Sequence, residues 1–155
     1  MKRLLHIITI ALLLTGCGEK NGGDNNGGNG GTDTPPAPSV AELICGEWHS
    51  TSLAVSGDIY LDFNDDKKFE MYQRIGEGAY RLYRGTWNIE ENILTGKYND
   101  GENWAASYDV AIEGKNLTLK SKNDAAEVTK YSSCTIPEEV KTGCEVVVKS
   151  SEAGL

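Results

Sequence analysis

Seven clusters of turn-forming residues, set at short and fairly even intervals, constrain this chain more than any other feature. They are Ser56-Gly57-Asp58, Asn64-Asp65-Asp66, Gly76-Glu77-Gly78, Glu90-Glu91-Asn92, Asn99-Asp100-Gly101, Gly114-Lys115-Asn116 and Lys122-Asn123-Asp124. Each supplies residues that tolerate positive φ or form Asx turns. Seven turns leave eight short segments, and the segments alternate. Ile59, Leu61 and Phe63 alternate with Tyr60 and Asp62, and Phe69 and Met71 with Glu70 and Tyr72. Trp104, Ala106, Tyr108, Val110 and Ile112 form the longest such row, and Leu117 and Leu119 follow. A period of two means a strand with one buried and one wet face. Every connection is short enough for a hairpin, which favours an up-and-down meander. Eight meandering strands remove their exposed edges by closing into a barrel.

The boundaries follow from composition. Ser39-Val40-Ala41-Glu42 has capping-box spacing and predicts a short helix over residues 39–44, ended by Gly46. The barrel is expected over residues 39–137, and residues 138–155 form a tail with a short helix or an extra strand. Residues 18–34 carry no side chain able to join a core and predict a flexible tether, stiffened by Pro35, Pro36 and Pro38. Upstream, Lys2 and Arg3 precede an apolar run from Leu4 to Leu14. That run is too short to span a bilayer, which takes about 20 residues, and it fits a secretory signal over residues 1–16.

The run ends in Leu14-Thr15-Gly16-Cys17, which resembles the lipobox of bacterial lipoproteins. The resemblance implies cleavage before Cys17, lipidation of its thiol and a tether over residues 17–38. It also implies a place in the cell envelope, on an outer membrane, periplasmic or surface-exposed. Leu43-Ile44-Cys45-Gly46-Glu47-Trp48 is similar to the start of a lipocalin-type barrel, where a helix leads into Gly-x-Trp. Tyr83-Arg84-Gly85-Thr86-Trp87-Asn88-Ile89, Leu94-Thr95-Gly96-Lys97-Tyr98, Leu117-Thr118-Leu119 and the exit Thr135-Ile136-Pro137-Glu138-Glu139-Val140 resemble lipocalin-like lipoprotein domains of Bacteroides-type bacteria. The resemblance implies an eight-stranded antiparallel lipocalin-like barrel, with the helix and Trp48 plugging one end. No Arg stands near Tyr131 to stack on Trp48, and the domain is shorter than a typical lipocalin, so a deep calyx is not expected.

Charge excludes some partners. The formal charge is −8, and removal of residues 1–16 takes away Lys2 and Arg3 but no acid, leaving −10. Such a surface repels nucleic acid. It gives no help toward anionic lipid, so membrane attachment would rest on the acyl anchor alone.

Chemistry is scarce. His49 is the one histidine left after processing, expected to point outward with no partner for base or ligand work. It cannot make a zinc site alone, and a Cys45–His49 nucleophile would lack an orienting acid or amide. Asp62, Asn64, Asp65 and Asp66 resemble half a calcium loop but lack its glycine and closing Glu, as a hairpin turn would. No metal, cofactor or catalytic residue is expected. With Cys17 lipidated, Cys45, Cys134 and Cys144 remain. A meander brings strands one and eight together, so a Cys45–Cys134 bond at the seam is expected, with Cys134–Cys144 as the rival. Strand parity turns Phe69, Met71, Tyr83, Trp87, Tyr98, Trp104 and Tyr108 inward. These are the candidate ligand-binding residues, with Arg81 and Arg84 as polar anchors. The expected function is non-catalytic binding of a small apolar or glycan-like ligand entering opposite Trp48. The alternative is a surface accessory or protein-interaction module with a filled core.

Overall fold

A computed structural model describes residues 36–52 and 57–148. Cys17, the signal segment, the tether up to Pro35 and Ser56 of the first turn lie outside the described residues. The eight expected strands are present. They are β1 (Gly46–Ser52), β2 (Asp58–Phe63), β3 (Lys68–Arg74), β4 (Arg81–Glu90), β5 (Ile93–Tyr98), β6 (Tyr108–Glu113), β7 (Asn116–Ser121) and β8 (Val128–Ser133). Helix α1 (Val40–Leu43) precedes them, and α2 (Glu138–Thr142) and the two-residue β9 (Glu145–Val146) follow. All pairs among β1–β8 are antiparallel. β1 pairs with β8, and β3 pairs with both β2 and β4, so the sheet closes on itself. It is an eight-stranded up-and-down barrel with a short helix on its N-terminal side.

Alternation builds the core. Ile59, Leu61, Phe63, Phe69, Met71, Leu94, Leu117, Leu119 and Tyr131 are buried inside. Gly85 faces inward opposite Phe69 and Tyr98. A β-carbon there would lie 2.0 Å from the Lys97 carbonyl oxygen. Outward-facing Tyr72 and Leu82 are buried as well, because Ile136 and Val140 of the exit and α2 cover them in a second, outer cluster. Glu47 ties that exit to β1: it accepts the Ile136 amide at 2.7 Å and Lys141 Nζ at 2.5 Å.

One expected strand is corrected. Residues 104–107 are not part of β6. β5 and β6 make only the pairs Ile93↔Asp109 and Leu94↔Tyr108, with an isolated Lys97↔Asn103 bridge beyond. Between Leu94↔Tyr108 and that bridge, β5 contributes two residues and the other side four. This bulge lets Trp104 swing over Gly96, where a β-carbon would lie 2.2 Å from the indole. The excess is an even number, so Trp104, Ala106, Tyr108 and Val110 still share the inner face.

The Cys45–Cys134 bond is not formed; Cys45, Cys134 and Cys144 are all free thiols. Gly46, the first residue of β1, has φ +132°. Cys45 packs on the inner cluster, its Sγ 3.2 Å from the Ala41 carbonyl. Cys134 packs with Cys144 on the outer cluster, across the wall.

Candidate functional site

The two ends of the barrel are built differently. At one end lie α1 and the turns 64–67, 91–92 and 114–115. The α1 capping box is complete: Ser39 Oγ accepts the Glu42 amide and Glu42 accepts the Ser39 amide. Trp48 is 4% exposed and donates its indole N–H to the Ile44 carbonyl at 2.8 Å. Val40 and Ala41 pack on the same core. Lys67, at φ 66°, lays its ammonium 3.9 Å above the Trp87 ring. Helix, indole and cation together close this end.

The other end is the mouth, with the turns at 75–80, 99–107 and 122–127. The sequence offered no obvious plug here, yet among the described residues the tail reaches this end. β9 adds in parallel to the upper part of β4, beyond the last β4–β5 pair. The Glu145 amide donates to the Tyr80 carbonyl at 2.7 Å and the Val147 amide to the Leu82 carbonyl at 2.9 Å. Val147 packs on the inner cluster, whereas Val146 and Val148 are 61% and 79% exposed.

Phe69, Met71, Tyr83, Trp87, Tyr98, Trp104 and Tyr108 are all buried in the inner cluster. They meet one another rather than surround a calyx. Phe69 packs edge-on against Tyr98 and Trp104 at 5.8 and 5.0 Å, Tyr83 against Tyr98 at 6.3 Å, and Trp104 against Tyr108 at 6.2 Å. Such edge-to-face contacts hold rings in place and leave little room at the axis. Burial raises the hydroxyls of Tyr98 and Tyr108 above the ordinary phenol range, Tyr108 to about 12. Both stay neutral at any physiological pH.

Pockets remain at the mouth. Tyr83, Tyr98 and Asn99 with Val146, Val147 and Val148 line one of about 210 Å³. Gln73, Glu77, Arg81, Tyr83 and Glu145 line another of about 390 Å³. Tyr83 belongs to both. Arg81 lines the larger pocket, while Arg84 lines the smaller one and gives its Nε to Glu70 at 2.7 Å. Gln73 and Val147 escaped the sequence reading. Three consecutive valines after Glu145 were the available signal for the second.

His49 is held on the outer face by a structural contact. Its Nε2 lies 2.6 Å from Asp58, which also accepts the Tyr80 hydroxyl at 2.5 Å and Arg74 at 3.3 Å. The imidazole stacks on Tyr60 at 4.2 Å. Burial pushes the Asp58 carboxyl up, but the bonds from Tyr80 and His49 and the nearby positive charge outweigh it, and the net shift is downward. Asp58 thereby links β1 through His49 to the turn that carries Tyr80. Among the described residues no cluster of three or more His, Cys, Asp or Glu could hold a metal. No helix there is long and apolar enough to cross a membrane.

Residues 44–119 match the model of the lipocalin-like domain family. The match begins at the end of α1 and stops within β7, so β8, α2 and the strand at the mouth lie beyond it. No curated protein matches the chain.

Proposed function

We propose that this lipocalin-like barrel is the non-catalytic recognition domain of a cell-envelope lipoprotein, binding a small apolar ligand at the mouth. The observation that carries the reading is the pocket between Tyr83, Tyr98 and the three tail valines. There the aromatic interior comes to the surface, and a weakly attached segment of the chain roofs it. Concave, mostly apolar sites at barrel mouths are the usual place for small ligands. Its volume suits a ligand of fragment size, and Val147 already occupies part of the space a larger one would need. Titration with n-hexanol, followed by amide spectra, should give saturable shifts confined to Leu82, Tyr98 and Val147. Val147→Asp should abolish them. Shifts that never saturate, or that centre on Trp48 and α1, would sink the mouth as a binding site.

The filled interior favours a second reading, a surface accessory or protein-interaction module with no small ligand. Absence of any saturable apolar ligand would leave it standing. Both readings share the anchor proposed at Cys17. Cys17→Ala should release the protein from membranes or leave the precursor uncut; a variant that matures and stays membrane-bound would refute the anchor.

A further inference from the structure

β9 is an edge strand. It pairs with β4 on one side, the sheet order ends with it, and among the described residues no strand flanks its other side. β5 does not reach it: β5 ends at Tyr98 opposite Gly85, whereas β9 stands beside Arg81 and Leu82, nearer the rim. The Glu145 and Val147 amides face β4 and donate to it. Backbone groups alternate along a strand, so those of Val146 and Val148 face away from β4. The same alternation turns the Val147 side chain inward and leaves Val146 and Val148 exposed. Val148 is the most exposed large apolar residue among those described.

Folded proteins guard such an edge with a proline, a bulge, a charge or a cover. Here the edge is three consecutive valines, a residue type well suited to strands. The charges stand at its two ends and have opposite sign: the sequence reads Glu145-Val146-Val147-Val148-Lys149. Lys149 lies outside the described residues and enters by sequence alone. Set antiparallel on a second copy of itself and centred on Val147, this segment puts Glu145 opposite Lys149 at both ends. It also puts Val146 opposite Val148. Those are the residues whose backbone groups face outward, so each Val146–Val148 pair exchanges two N–H···O bonds. A slip of one residue would set outward-facing groups against groups that face β4. A slip of two would keep the bonding pattern and lose the charge match.

We propose that β9 is a docking edge for a second copy of this chain. Two tails add to each other antiparallel, and the two barrels meet rim to rim through one continuous sheet. The occupant is a second copy because the register that satisfies the backbone also pairs each charge with its opposite. A two-fold pairing uses both edges, so the assembly stops at two. The negative net charge of the chain opposes close approach, and the contact is small, so the pair is weak and transient. Self-pairing needs no ligand at the mouth, so this inference and the mouth reading can fail separately.

Sedimentation of the full chain in nonionic detergent with a thiol reductant, over a dilution series, should show a reversible monomer–dimer equilibrium. Val146→Pro removes a donor that faces the second copy and leaves the Glu145 and Val147 bonds to β4 in place. It should abolish the dimer while the Trp48 indole proton keeps its parental shift, the sign of an intact barrel. Glu145→Lys and Lys149→Glu should each weaken self-association by about tenfold, because like charges then stand opposite at both ends. Mixed one to one, these two variants should associate as the parent does, since every charge again meets its opposite. A monomer at every concentration, a dimer indifferent to Val146→Pro, assembly beyond two copies, or a mixture no better than either variant alone would each overturn the proposal.

Discussion

The closed end and the mouth share one sheet yet are sealed by different means. α1 carries a complete capping box, stands just ahead of β1, and is followed by its C-cap Ile44, whose carbonyl accepts from a buried indole. The mouth is sealed from the far end of the sequence, by a two-residue strand and one inward valine flanked by two exposed ones. The difference teaches where the molecule can open. A seal of buried aromatic surface and satisfied caps opens only with the fold, whereas a short edge strand opens locally.

The largest expected effect breaks the closed end. Trp48→Ala removes a buried indole and its bond to Ile44, and should cost about 3–5 kcal/mol in urea unfolding. If it cost under about 1 kcal/mol, close to the exposed-residue range, the end would not be sealed by Trp48.

Next comes the bulge on the mouth side. Gly96→Ala drives a methyl into the Trp104 ring and should cost about 1–3 kcal/mol, with a shift in tryptophan emission. An unchanged spectrum would mean that Trp104 does not lie over Gly96.

A pH profile sharpens the comparison along the wall. Asp58 has a lowered carboxyl pKa in the folded state. Its contribution is therefore fully present above the unfolded value of about 3.9 and lost as pH falls through the folded one. Asp58→Asn should be less stable than the parent by about 1 kcal/mol near pH 7, and the gap should close in strong acid. Asp62 works the other way. Burial, with Glu47 and Glu70 beside it, raises its carboxyl, so it favours the fold as pH falls and blunts the acid loss. A gap that widens in acid would contradict the Asp58 assignment.

The smallest effect belongs to the tail. Val147→Ala should cost about 1 kcal/mol or less, since little apolar area is lost. It should nonetheless change n-hexanol affinity more than Trp48→Phe does. Equal effects on affinity would detach the tail from the site.

How much of this was legible follows from the physics of each piece. Alternation placed the inner faces of β2, β3, β6 and β7, because burial has a period of two and local chemistry sets the turns. Even the misplaced segment at 104–107 kept its face, since an even excess preserves parity. Gly96 inside a strand pattern was the legible sign of a close approach. The Cys45–Cys134 pairing was not legible because Cys45 packs on the inner cluster and Cys134 on the outer one, a difference that strand order alone does not set. His49 found Asp58 diagonally across a hairpin, a contact that depends on register rather than spacing. The mouth seal depends on a tertiary pairing of β9 with β4, for which three valines are a faint signal. Of the candidate site, the aromatic set was readable; that it fills the barrel instead of lining it depends on ring packing that sequence does not encode locally.

Native-state hydrogen exchange tests the central claim, that one end opens only with the fold and the other opens on its own. The two reporters are the Trp48 indole N–H, bonded to Ile44, and the Val147 amide, bonded to Leu82. The Trp48 proton should exchange with the free energy of global unfolding, and the Val147 amide through a local opening well below it. Equal protection of the two, or a Val147 amide as slow as the core, would contradict the account.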